Sequence, residues 1–272
     1  MSPIDLSLLA LVLLVTGAVA GVLAGLLGVG GGIVIVPMLF HLFGLLGFED
    51  GVRMPVAVGT SLATIVPTAF MSARAHHRRG SIDGTLVRGW GPWVLAGAVG
   101  GSLLAVGRGG GTVMTALFAG VAVLVAAHMA FVPEGRTFTA RVPEGPGGRG
   151  LAVVIGGLSA MMGIGGGTLS VPILSACSHP IRRAVGTAAA LGLIIAIPGS
   201  ISFALGGSGV PGRPPWTVGY VNLISFVLIV PATLVTTPLG VRLAHVIEPA
   251  GLRKAFAFFL FVTSARMLYS LF

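Results

Sequence analysis

The sequence predicts an all-α integral membrane protein made of two inverted-topology repeats, each a glycine-tipped helical hairpin followed by three transmembrane helices. Three observations predict it. The chain is 55% hydrophobic and 8% charged, with a mean hydropathy of +1.03, a surface that water cannot solvate. The decapeptide GVGGGIVIVP (Gly28 to Pro37) returns as GIGGGTLSVP (Gly163 to Pro172), so the chain interrupts two apolar segments in the same way. Basic residues collect on one side of the membrane only if each glycine knot turns the chain back.

A span needs about 20 apolar residues, with about 17 as the lower end. Leu6 to Leu27 supplies the first, and the first knot separates it from a shorter stretch, Ile33 to Gly47. Val52 to Ala75, Gly89 to Val106 and Thr112 to Phe131 complete repeat 1–131. Residues 132–149, rich in Pro, Gly, Arg and Glu, read as the cytoplasmic linker. In repeat 150–272, Leu151 to Met162 leads into the second knot and Thr168 to Ser178 leaves it. Ala184 to Leu205, Val218 to Val241 and Gly251 to Leu271 follow. The halves agree again at Ala57-Val58-Gly59-Thr60, repeated letter for letter as Ala184-Val185-Gly186-Thr187. A β-barrel would need short segments of alternating polarity, which this sequence does not contain.

Charge decides between parallel and inverted repeats. If each knot sits in a single crossing, the basic residues divide evenly between the two sides. If each is the tip of a hairpin, only Arg53, Arg108 and Arg213 fall on one side. Arg74, Arg78, Arg79, Arg88, Arg136, Arg141, Arg149, Arg182, Arg183, Arg242, Arg253 and Lys254 then share the other, and Arg266 lies near the outer end of the last span. That bias places both termini outside and residues 74–88 and 132–149 in the cytoplasm. The arm Leu151 to Met162, at about 1.5 Å per residue, favours a re-entrant tip over a full crossing.

The formal charge of +9 raises nucleic acid as a partner, but the basic residues are strung through short loops between apolar runs, as topology signals are. The lone Cys177 excludes an intramolecular disulfide and a multi-cysteine metal site. No Lys-Ser/Thr follows either knot, so neither is a P-loop. The start, Met1 to Ser7, lacks the basic region of a cleaved signal, so the first helix is expected to be retained. No carboxylate pair, metal-ligand cluster or nucleophile–base arrangement lies at membrane depth, so an enzyme, a metal and a cofactor are not expected.

Bare backbone at membrane depth must be buried in protein or line a wet cavity. Gly28, Gly30, Gly31 and Gly32, and Gly163, Gly165, Gly166 and Gly167, are therefore the candidate binding backbone, with close packing of helices through small residues as the other role open to them. In inverted halves the two tips would meet near the midplane, and the helices after them would aim N–H groups and dipole ends at a shared cavity. Such a site suits a small anion without any cationic side chain. All seven acids fall in loops or at ends, which argues against a cation site. Thr60, Ser61, Thr168, Ser170 and Thr187 are the candidate hydroxyls, with interhelical hydrogen bonding as the other role open to them. His41 reads as an interfacial or packing residue, and it is also the candidate for proton coupling, imidazole being suited to titration near neutral pH. The lipid bilayer is the other expected partner, and the oligomeric state is not legible. A passive anion channel, or a carrier of another small oxyanion or carboxylate, fits the same donors.

The paired GxGGGxxxVP knots and the AVGT segments resemble those of the TauE/SafE (TSUP) family of sulfite and organosulfur anion exporters over nearly the whole chain. That resemblance implies a secondary transporter, an exporter, of small sulfur-containing anions such as sulfite or sulfonates. It carries the family motif onto Gly28, Gly30, Gly31, Gly32 and Pro37, and onto Gly163, Gly165, Gly166, Gly167 and Pro172.

Overall fold

A computed structural model describes residues 3–27, 31–107, 110–131, 142–143, 145–243 and 249–271. Gly28, Gly30, Arg108, His245 and linker residues 132–141 and 144 lie outside the described residues. The first half comprises α1 (Pro3–Leu27), α2 (Gly32–Leu45), α3 (Asp50–Arg78), α4 (Gly84–Gly107) and α5 (Gly110–Phe131). The second comprises α6 (Gly145–Met162), α7 (Gly167–Ala176), α8 (Ile181–Gly206), strands β1 (Thr217–Val218) and β2 (Val221–Asn222), α9 (Leu223–Leu243) and α10 (Pro249–Tyr269). Among the described residues, six helices are long and apolar enough to cross a bilayer: α1, α3, α4, α5, α8 and α9. The chain is an all-α multi-pass membrane protein.

Both helix breaks fall at the glycine knots. α1 gives way to α2, and α6 to α7, at positions 135 residues apart, as Gly32 and Gly167 mark. Pro37 and Pro172 each occupy the sixth position of the helix that follows. Proline in a helix interior removes one backbone donor, a loss that packed transmembrane helices accommodate.

Two boundaries depart from the expectation. α6 starts at Gly145 instead of Leu151, because Pro146 fits a first helical turn, where its missing N–H is no loss. Arg149, read as linker, lies in that helix with its guanidinium 5.5 Å from the Trp93 ring centre. In place of a helix from Val218 there is a small antiparallel hairpin, with Thr217 opposite Asn222 and Val218 opposite Val221. Its turn requires Gly219 at φ +55°, a region that favours glycine. Arg213 Nε and Nη1 donate to the carbonyls of Val210 and Gly219 at 2.7 and 2.8 Å, holding the hairpin.

The helices pair across the halves. α1 packs on α9 and α4 on α6, the same pairing with the halves exchanged, while α3 packs on α8 and α5 on α10. Small residues allow the close approach. A Cβ on Gly17 would lie 2.7 Å from the Ile229 carbonyl oxygen, and one on Gly97 or Gly101 would collide with the carbonyl of Val153 or Gly157. Thr233 and Thr236 donate hydroxyls to the carbonyls of Gly17 and Ala18 at 3.1 and 3.0 Å. Contacts climb together along α1/α9 and α4/α6, so those pairs run parallel. Along α3/α8, Gly59 meets Phe203, Leu62 meets Gly199 and His76 meets Gly186, so the equivalent helices of the two halves run antiparallel.

The repeated AVGT segments act at this junction. Asn222 N–H donates to Thr60 Oγ1 at 2.9 Å, and Asp83 N–H donates to Thr187 Oγ1 at 3.0 Å. Both donors sit at helix starts: Asp83 Oδ1 accepts from Leu86 N–H at the head of α4, and Asn222 Oδ1 from Ser225 N–H at the head of α9. The glycine before each threonine leaves room for the approaching strand of chain. A Cβ on Gly59 would meet the Tyr220 carbonyl, and one on Gly186 the Ser81 carbonyl. Each half thus caps the other's fourth helix.

Candidate functional site

The two knots touch each other, Gly32 of the first lying against Gly163 of the second. Gly31 and Gly166 stand at the N-cap positions of α2 and α7, with φ/ψ of −72/−15° and −75/−26°. Neither start has a side-chain cap or an acidic residue in its first turn, so no side-chain anion meets either positive dipole end. Val34 and Ile35 N–H donate to the Gly31 carbonyl at 3.1 and 3.0 Å, and Ser170 N–H donates to the Gly166 carbonyl at 2.9 Å.

The described parts of the knots close on each other instead of framing an open hollow. A Cβ on Gly32 would collide with the Gly163 carbonyl oxygen and lie 2.8 Å from Ile164 Cα. Ser61 Oγ donates to that same carbonyl at 2.7 Å, tying α3 to the second knot. Ile65 spans both tips, since Cβ atoms on Gly32 and Gly165 would come within 2.9 and 3.3 Å of its Cδ1. Gly166 backs onto α8, where an added Cβ would lie 2.7 Å from Gly192 N and 3.0 Å from the Ala188 carbonyl oxygen.

Gly163 and Gly165 hold φ of +69° and +66°. An L-residue there costs about 1–2 kcal/mol of backbone strain. A Cβ added at Gly163 would also lie 3.0 Å from Val58 Cα, so Gly163→Ala is expected to lose at least that much stability. A chemical-unfolding midpoint unchanged from that of the unaltered protein would contradict the strained tip.

The structure thus brings Gly32, Gly163, Gly165 and Ser61 together, with Gly31 beside Ala20 on α1 and Gly166 and Gly167 at the start of α7. Thr168 and Ser170 are buried in the first turns of α7. Ser170 Oγ has no hydrogen-bond partner among the described residues, and neither has Ser159 Oγ, at the end of α6. These are hydroxyls with unused capacity next to a helix start. Thr60 and Thr187, by contrast, are occupied with the reciprocal caps. Sequence reasoning missed Ser159 and Ile65, whose only signal is proximity through the fold. It also missed the hairpin partners of AVGT, for which the doubled Gly-Thr was a usable sign.

Two broken helices lie inside a bundle of long apolar helices, the architecture of a multi-pass membrane protein. The sequence profile described as Sulfite exporter TauE/SafE matches residues 13–267. The chain belongs to the TauE/SafE family of membrane transporters. It is 35% identical over 263 residues to a probable membrane transporter protein of Haemophilus influenzae, covering 94% of this chain and 97% of that one. A probable membrane transporter protein of Methanocaldococcus jannaschii is 28% identical over 248 residues, covering 89% and 88%. One from Bacillus subtilis is 31% identical over 217 residues, covering 72% and 78%. No solved structure gives a significant match.

Proposed function

We propose that the protein is a secondary carrier that exports small sulfur-containing anions, sulfite or organosulfonates, across a prokaryotic inner membrane. Two inverted repeats, residues 1–131 and 150–272, would alternate access to one midplane site, with both termini outside. The observation that carries this reading is the packing of the start of α2, at Gly32, against Gly163 and Ile164 of the second knot, the turn that leads into α7, with neither helix start capped by a side chain. Backbone N–H groups and dipole ends of that kind take an anion without a cationic side chain. The antiparallel run of α3 against α8 supports inversion, because parallel repeats would set equivalent helices in the same direction. The start of α5 shares a pocket with the end of α10, as inversion also requires.

The touching tips belong to a closed state, and loading requires Gly32 and Gly163 to part. Ser170 and Ser159 would then offer their unused hydroxyls to the anion, Thr168 lies in the same first turn, and His41 is the group assigned to proton coupling.

Counterflow in proteoliposomes tests the reading. Liposomes preloaded with unlabelled sulfite are expected to accumulate labelled sulfite transiently and saturably, with sulfonates competing and sulfate serving as the comparison anion. Unitary currents without counterflow would make the protein a channel. No movement of any sulfur anion would remove the substrate class.

A further inference from the structure

One side chain lies between the two knots. Ile65 is buried on α3, and a Cβ on Gly32 of the first knot would lie 2.9 Å from its Cδ1. A Cβ on Gly165 of the second knot would lie 3.3 Å from the same atom and 3.4 Å from Cγ2. The tip of Ile65 therefore fills the space that glycines of both knots leave open. Ser61 precedes it by one turn on the same face of α3 and holds the Gly163 carbonyl. We infer that Ile65 is the gate of the transport path, its δ-methyl plugging the gap between the tips in the closed state and moving aside when Gly32 and Gly163 part for a small sulfur anion. The inference rests on the carrier reading for the path that it closes.

An apolar plug is effective against an anion. At a hydrocarbon constriction an ion gives up water and finds no donor in exchange, so one side chain can stop a solute that two helix starts attract.

The repeat assigns the plug to one half only. Aligned on AVGT, Ser61 and Ile65 of α3 correspond to Ala188 and Gly192 of α8. The same pair of positions faces a knot in each half, since a Cβ on Gly166 would lie 2.7 Å from Gly192 N and 3.0 Å from the Ala188 carbonyl oxygen. α8 thus meets its tip backbone on backbone, with no side chain to turn, while α3 reaches both tips through one side chain. A side chain can rotate without displacing its helix. A backbone contact parts only when a helix moves.

α3 is also loosened beside Ile65. Pro67 lies inside the helix and supplies no N–H for the Ala63 carbonyl, which in a regular helix accepts from the residue four positions on. Thr64 Oγ1 donates to the Ser61 carbonyl at 2.7 Å, and Thr68 Oγ1 donates to the Thr64 and Ile65 carbonyls at 3.0 and 3.1 Å. Hydroxyls that bond back to their own helix favour bending at such a point.

The test measures leak, the exit of labelled sulfite from proteoliposomes into sulfur-free buffer, with protein-free liposomes as the blank. Ile65→Val removes Cδ1 alone, and Ile65→Ala removes every carbon beyond Cβ. Leak is expected to rise about threefold in Ile65→Val and about tenfold in Ile65→Ala, with Ile65→Leu within about twofold of the unaltered protein. Ile229, buried on α9 where it packs against α1, controls for simple loosening. Ile229→Ala is expected to lower the unfolding midpoint and leave leak within about twofold. In a Cys177→Ser background, which removes the one native thiol, the thiol introduced by Ile65→Cys is expected to react with N-ethylmaleimide about tenfold faster than that introduced by Ile229→Cys. Equal leak in Ile65→Ala and Ile229→Ala would overturn the inference, and so would equal alkylation of the two thiols. The alkylation arm needs no transport. A protein that moves no sulfur anion yet exposes the thiol of Ile65→Cys loses the carrier reading and keeps a movable plug. One that performs counterflow, with Ile65→Ala no leakier than Ile229→Ala, keeps the carrier reading and loses the gate.

Discussion

Replacing Gly32 with alanine is expected to abolish transport and lower the unfolding midpoint, while Gly31→Ala leaves both near their original values. The two glycines are neighbours in one motif, yet they face different things. A methyl on Gly31 would meet Ile35 Cδ1 at 3.3 Å, a side-chain tip that can shift by a few tenths of an ångström, and Ala20 Cβ at 3.4 Å, an ordinary van der Waals contact. A methyl on Gly32 would run into the Gly163 carbonyl and Ile164 Cα, backbone that Ser61 and the positive φ of Gly163 hold in place. Overpacking of this kind costs about 1–3 kcal/mol. At the second knot Gly166→Ala is expected to behave like Gly32→Ala, because Gly192 N and the Ala188 carbonyl confront it. Counterflow and thermal unfolding of the three variants give the check. Full activity in Gly32→Ala would show that the tips do not meet as described.

Thr60→Val and Thr187→Val are each expected to destabilise the protein, the pair roughly additively. Valine keeps the shape and removes the acceptor, so the buried Asn222 N–H or the half-buried Asp83 N–H is left without its partner. An unsatisfied buried donor costs about 1–3 kcal/mol. The sites lie toward opposite ends of the α3/α8 pair, with no shared partner, so their effects should sum. Serine restores the acceptor, and Thr60→Ser and Thr187→Ser are expected to recover most of the loss. Hydrogen exchange at the heads of α4 and α9 would follow each substitution: faster at Asn222 with Thr60→Val, faster at Asp83 with Thr187→Val. Unchanged protection in both would remove the reciprocal caps.

Much of this architecture is legible in the chain. Long apolar runs announce α1, α3, α4, α5, α8 and α9, because hydrocarbon rejects any other surface on a span. The knots announce the breaks at α1/α2 and α6/α7, since contiguous glycines cannot hold a helix that proline then interrupts again. The repeated decapeptide and AVGT announce duplication. The hairpin at 217–222 was hidden inside an apolar run, because periodicity does not separate a short buried strand from a helix end. The head of α6 was hidden by Pro146, Arg149 and five nearby glycines and prolines, which look like linker until Trp93 and α4 supply a surface to pack against.

At the candidate site the division is sharper. Glycine content picks out the residues that approach a partner closely, but it is silent about which partner: Gly32 meets the opposite tip, Gly31 meets α1, and Gly59 and Gly186 meet the heads of helices from the other half. Likewise Thr60 and Thr187 are marked as a pair by repetition, while their use as acceptors for Asn222 and Asp83 follows only from the way α3 and α8 cross. Local composition and repetition therefore establish the membrane, the spans and the breaks, because lipid acts on each segment separately. Who faces whom at the tips was settled by long-range packing, where one helix meets another through backbone contacts that no short stretch of chain encodes.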